Sequence, residues 1–156
     1  MRRLTSRLWL IPGGLLIVVA GYLTIASPIL AGTKTKGEEA VTIPEADRFT
    51  PFALTIRTGQ TVRWVNNDED DHTVVSDDAV NTTGPTGVDE LLPADGGTVS
   101  LHFNKPGQFV YFCRFHAKLD AFDQPVAPGP EGGIQDANGN FGTPMMGVIT
   151  VVPGNH

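Results

Sequence analysis

Four residues of this chain carry the donor atoms of a soft metal site. Cys113, the one cysteine in 156 residues, stands in Tyr111-Phe112-Cys113-Arg114-Phe115-His116, so an imidazole follows the thiol closely. His72 follows a different strand-like run, and Met145 precedes a third, Gly147-Val148-Ile149-Thr150-Val151. One thiolate, two imidazoles and one thioether form the donor set of a blue-copper electron-transfer centre. Each residue alone has a plainer role. A buried free cysteine usually packs as a small hydrophobe, a lone histidine is usually a surface or core residue, and a methionine before a strand is usually core. Only the joint pattern points to a metal.

The rest of the chain must bring these four together. Phe52, Leu54 and Ile56 alternate with Ala53, Thr55 and Arg57, the period-two signal of a strand. Thr58-Gly59-Gln60 reads as a turn, and Thr61 to Asn66 alternates again, so the two runs are expected as a hairpin or as neighbouring strands. Asn67 to Asp71 is an acidic loop that ends at His72, and Thr73-Val74-Val75 is a short strand. Ser76 to Gly97 is a long Gly/Pro/Asp-rich connection with a possible helical turn near Val88 to Leu92. Val99 to Phe103, Gln108 to Cys113 and Gly147 to Val152 read as further strands, with Asn104-Lys105-Pro106-Gly107 a strong turn. Short strands with turn punctuation imply an all-β sandwich. In a sandwich the loops gather at the two ends, where His72, Cys113, His116 and Met145 can converge. Ala117 to Pro144 is a long Pro/Gly-rich loop insertion before the last strand, with at most a helical turn at Lys118 to Phe122. Unstructured loops of that length are often functional.

Composition bounds the setting. Arg2, Arg3 and Arg7 precede an uncharged stretch from Leu8 to Thr33, densest in apolar residues from Leu15 to Ala26. This is the pattern of a secretory signal. Ala26, with Thr24 three residues before the cut, is the better cleavage position; Ala31 has the bulky Ile29 there. Left uncut, the stretch is long enough to span a bilayer, with the arginines holding the N-terminus inside. The Arg2-Arg3 pair hints at twin-arginine export. Residues 1–31 are therefore expected to be a signal peptide or an N-terminal membrane anchor, residues 32–39 a linker and residues 40–156 the folded domain. Either form of leader makes the domain periplasmic or extracellular. A lone thiol there is a liability unless buried or ligated. Without its leader the chain has 8 Lys+Arg against 17 Asp+Glu, a net charge near −9. Such a body repels nucleic acid and suits a basic protein partner.

On these residues the chain resembles the cupredoxin family, specifically the plastocyanin, amicyanin and pseudoazurin group. Phe52 to Asn67 resembles the strands that lead to the first ligand. Asn104 to Cys113 resembles the approach to the cysteine, and Cys113-x-x-His116 with Met145-x-Gly147-x-Ile149-x-Val151 completes the motif. The resemblance implies a Greek-key sandwich and one type 1 copper ion. His72, Cys113 and His116 would form its trigonal plane and Met145 the weak axial ligand, with Met146 the rival. It also implies His116 as the solvent-facing electron port. Two departures stand out. The family's methionine lies a few residues after the second histidine, whereas here Ala117 to Pro144 intervenes. The asparagine that commonly follows the first histidine is Thr73.

The function expected is a one-electron carrier exchanging with a redox protein such as a cytochrome or a copper enzyme. The alternatives are a module for copper trafficking or delivery and a copper enzyme with an open coordination position under the long loop. No imidazoles remain for a second, catalytic copper: His102 lies in a strand and is expected to face solvent, and His156 ends the chain. A c-type haem is excluded by the absent second cysteine.

Overall fold

Alternating apolar and polar residues extend the chain and turn one face inward. The computed structural model describes residues 37–154. The leader expected over residues 1–31 and the terminal His156 lie outside the described residues. In chain order the strands are β1 (Glu38–Ile43), β2 (Ala53–Arg57), β3 (Gln60–Asn66), β4 (His72–Ser76), β5 (Asp89–Leu92), β6 (Thr98–Phe103), β7 (Gly107–Phe112), β8 (Lys118–Leu119), β9 (Pro125–Ala127), β10 (Ile134–Gln135), β11 (Phe141–Thr143) and β12 (Met146–Val152). No helix among the described residues is long and apolar enough to cross a membrane.

Two sheets face each other, one ordered β1-β3-β6 and the other β2-β12-β7-β4-β5. Val41 and Ile43 of β1, Val62 and Trp64 of β3 and Phe103 of β6 form one buried face. Ile56, Val74, Leu92, Phe109, Tyr111, Ile149 and Val151 form the other. Burying both faces is the main force holding the layers together. Aromatic edges lock them: the Tyr111 ring meets Trp64 at 5.1 Å and Phe49 at 4.8 Å, both edge-on. Tyr111 also explains Gly147, its partner across the β7–β12 ladder. A Cβ on Gly147 would stand 2.5 Å from the Tyr111 hydroxyl, so the ring covers the glycine as an aromatic covers a bare strand position.

The all-β sandwich is as expected, but some local expectations fail. β2 and β3 do not pair: β2 lies parallel to β12, and β3 lies between β1 and β6. The turn at Thr58-Gly59-Gln60 carries the chain from one sheet to the other. Its Thr58 N–H donates to the Val152 carbonyl and its Gly59 N–H to the Phe103 carbonyl. The stretch expected as a helical turn near Val88 to Leu92 is instead β5, because its fully buried Leu92 pairs with His72. β1 opens with Glu38 and Glu39, which pair with Thr61 and Val62.

Ala117 to Pro144 is also more ordered than its composition implied. In place of a helical turn it forms two small ribbons, β8–β9 and β10–β11. The C-terminal ends of β1, β3 and β7 and the starts of β4 and β12 lie at one pole of the sandwich, as their registers require. The insertion leaves the chain at this pole, directly after His116.

Candidate metal centre

Each of the four residues sits where a strand begins or ends at that pole. His72 opens β4, Cys113 and His116 follow β7, and Met145 precedes β12. Backbone bonds fix their register. The Cys113 N–H donates to the Met145 carbonyl at 2.9 Å, the Met145 N–H to the His116 carbonyl at 2.9 Å, and the His116 N–H to the Cys113 carbonyl at 3.2 Å. His72, Cys113 and Met145 are 0% exposed and His116 3%. Met145 belongs to the buried core that holds Cys113, whereas Met146 is half-buried on the opposite face of β12.

The three stronger donors converge. Cys113 Sγ lies 3.4 Å from His116 Nδ1 and 3.8 Å from His72 Nδ1, and the two imidazole centroids are 4.8 Å apart. With a metal–sulfur bond of about 2.3 Å and metal–nitrogen bonds of about 2.0 Å, as for a first-row ion, a trigonal angle gives a sulfur–nitrogen edge of about 3.7 Å. The two observed edges bracket that value. The donors therefore fit a small trigonal ion, and a thiolate with two imidazoles, in a core that also holds Met145, suits copper better than harder metals.

The surroundings of the sulfur answer the departure at position 73. The Thr73 N–H donates to Cys113 Sγ at 3.4 Å, and its hydroxyl stands 3.7 Å from the same sulfur. That hydroxyl also accepts the Arg114 N–H at 3.0 Å, which ties the chain after the cysteine to β4. Asn66 fixes the acidic loop. Its amide donates to the Asp70, Leu92 and Pro93 carbonyls, and its Oδ1 accepts the Asp68 N–H at 3.0 Å.

The expectation that His116 faces solvent is not met. Its Nε2 lies 3.3 Å from Asp47 Oδ1, and the turn around Gly129–Gly132 covers the backbone beside it. A Cβ on Gly129 would collide with the Phe115 carbonyl oxygen, the Ala117 nitrogen and the His116 carbonyl carbon. Gly132, at φ +122°, adopts a conformation that favours glycine, and a side chain there would stand 2.9 Å from Asp47 Oδ2. The ring is buried where the insertion folds back against the backbone of residues 115–117 and against Asp47. His72 also faces a carboxylate, here through a hydrogen bond, with Nε2 3.4 Å from Asp68 Oδ2. Asp68, a member of the acidic loop before His72, is thus turned inward and buried. Asp47 and Asp68 are the site residues that sequence reasoning missed. His102 is exposed on β6, as expected.

Protonation follows from these contacts. Burial pushes the Cys113 thiol up, but hydrogen bonds from His116, His72 and the Thr73 backbone and hydroxyl outweigh it and bring it down to about 6. Burial works against a charged imidazole at His72 and at His116, yet hydrogen bonding to Cys113 and its charge shift both up. Burial raises the Asp47 carboxyl, and the charges of His116 and His72 oppose it only in part. Without metal the trio therefore favours a thiolate beside protonated imidazole, a proton that metal binding releases.

Comparison with known proteins agrees with this geometry. Residues 38–120 match the family model of copper binding proteins, plastocyanin/azurin family. The match takes in His72, Cys113 and His116 and stops inside the insertion. A chloroplastic plastocyanin of Tetradesmus obliquus is 32% identical over 64% of this chain and 68% of its own length. A plastocyanin of Scenedesmus fuscus is 35% identical over 44% of this chain and 74% of its own. Among solved structures, a Cu(I) amicyanin variant superposes with a TM-score of 0.50 at 19% identity, covering 77% of this chain and 87% of that one. A reduced amicyanin variant gives 0.50 at 21% identity, covering 81% and 92%. Likeness at those identities speaks for the fold alone.

Proposed function

The chain belongs to the plastocyanin/azurin family of copper-binding proteins, and from that premise we propose that it is an exported blue copper protein carrying one electron at a time. His72, Cys113 and His116 serve as the three strong copper ligands and Met145 as the weak axial one. The observation that carries this reading is the meeting of the chain's one thiol with two imidazoles at 3.4 and 3.8 Å in a buried site. Copper held there supplies the one-electron Cu(II)/Cu(I) couple. The chain supplies the rest. Strand-end hydrogen bonds hold every donor in place, so little rearranges when charge changes. Burial excludes water, and the Thr73 N–H supports the thiolate.

The plastocyanin- and amicyanin-like members of this family are electron carriers rather than enzymes, and a carrier is the reading that the buried donors favour here. Delivery of the ion to an acceptor would call for an exposed donor, and all four are covered. Export to the periplasm or outside the cell rests on the Arg-led, uncharged stretch of residues 1–31, as signal peptide or anchor. A groove of about 750 Å³ opens beside the site, lined by Glu45, Asp47, Asp68, Glu69, Asp70 and Asp136 among others. Its charge favours a basic redox partner.

An optical spectrum of the copper-loaded, oxidised protein tests the assignment. It should show an intense visible band from sulfur-to-copper charge transfer, and a cytochrome should reduce the protein reversibly without loss of the metal. A colourless copper-loaded protein would sink the reading. Met145→Leu should keep the band and raise the reduction potential, because a thioether donates density that favours the oxidised ion. Met146→Leu should change neither. The reverse pattern would move the axial assignment to Met146.

A further inference from the structure

We propose that Asp47 and Asp68 are paired positioning residues that hold His116 and His72 with the proton on Nε2 and lower the reduction potential of the site. The inference rests on the ligand set proposed above. Each imidazole turns Nδ1 toward Cys113 Sγ and so has one polar atom left. In both cases that atom faces a carboxylate: His72 Nε2 is hydrogen-bonded to Asp68 Oδ2 at 3.4 Å, and His116 Nε2 lies at ion-pair distance, 3.3 Å, from Asp47 Oδ1. An ionised carboxylate only accepts. The contact therefore selects the tautomer with hydrogen on Nε2 and leaves the Nδ1 lone pair free for the metal. A carboxylate on the outer nitrogen also makes the imidazole a more basic ligand.

The two carboxylates come from separate loops, and each is oriented independently. Asp68 is held by its own N–H on Asn66 Oδ1, and its Oδ1 accepts the Glu69 N–H at 2.8 Å, which leaves Oδ2 for His72. Asp47 follows β1, and its Oδ2 lies against Gly132 of the insertion. The donor atoms of Asp47, Asp68 and His72 all lie within 4.8 Å of one another, so two like charges are gathered at the outer edge of the site. Reduction removes a positive charge from the centre. Negative charge at this distance favours the oxidised form, so the potential lies below that of a site with neutral partners on both rings.

The test uses the full copper-loaded chain at pH 7. Asp47→Asn and Asp68→Asn keep an oxygen to accept the Nε2–H but remove the charge. Each should retain the visible band and raise the potential by an amount equal to about a tenfold change in equilibrium with a one-electron reference couple, about 59 mV. The double variant should shift further. In the diamagnetic Cu(I) wild type, nitrogen-resolved NMR should show an Nε2-bound hydrogen on His116 that exchanges slowly with water, and Asp47→Ala should make that exchange fast. Unmoved potentials in both Asn variants with the band intact overturn the inference, as does a wild-type His116 without hydrogen on Nε2. A wild type lacking the band overturns the ligand set itself, and the inference with it.

Discussion

Cys113→Ser is expected to abolish the visible absorption of the copper-loaded protein. The exchange swaps one atom in a fully buried side chain, so the backbone bonds joining residue 113 to Met145 and His116 should survive. What changes is the donor. A thiolate is soft and, held down to about 6 by His116, His72 and Thr73 against its burial, is the form these neighbours favour at neutral pH. A serine hydroxyl is hard and stays protonated there, so it offers neither the charge nor the low-energy electron pair that the band requires. Copper affinity should fall by more than the roughly 10–100-fold that loss of a supporting hydrogen-bond partner costs a metal site. Titration of both proteins with copper, followed optically, checks both effects. A band that persists in the serine variant would show that Cys113 is not a ligand.

Trp64→Ala should be the most damaging single change in the core, at about 3–5 kcal/mol. Trp64 is 0% exposed on β3, and its ring meets Tyr111 of the opposing sheet edge-on at 5.1 Å. Truncation therefore opens a cavity where the two layers are joined. Set against a typical domain stability of about 5–15 kcal/mol, that is a large share. Trp64→Phe should behave differently. Trp64 Nε1 and the Tyr111 hydroxyl are buried beside one another without a well-formed hydrogen bond, so phenylalanine keeps much of the packing and gives up only a weak polar contact. Its cost should stay under about 1.5 kcal/mol. Denaturant midpoints of the metal-free proteins give the comparison without the added stability of bound copper. Equal losses in the two variants would mean that the ring's volume does not govern this junction.

The sandwich was legible because its strands are half-buried. Val62, Trp64 and Asn66 alternate with Thr61, Arg63 and Val65, and that pattern alone sets which face points inward. It does not name the neighbouring strand, so a three-residue turn between Arg57 and Thr61 looked like a hairpin although it crosses between layers. The four proposed ligands were legible because their chemistry is rare and each lies beside a readable strand. Asp47 and Asp68 were not. An aspartate in an acidic loop reads the same whether it meets water or an imidazole, and Asp47 reaches His116 only through tertiary folding. Burial of His116 was hidden for a related reason. The prolines and glycines of the insertion read as a lack of structure, yet Gly129 and Gly132 supply the close packing that seats it against the site.

The register of β1 sets how the protein can be held. β1 enters beside Thr61 and runs parallel to β3 as far as Asn66, so its first residue lies about 20 Å from the ligand pole at the usual rise per residue. β12 ends near Thr58, at the same far end. A tether attached ahead of Glu38, or a graft after Val152, therefore leaves the domain on the side away from the copper ligands. Immobilised on an electrode through either point, the protein would present its acidic groove and metal pole to solution.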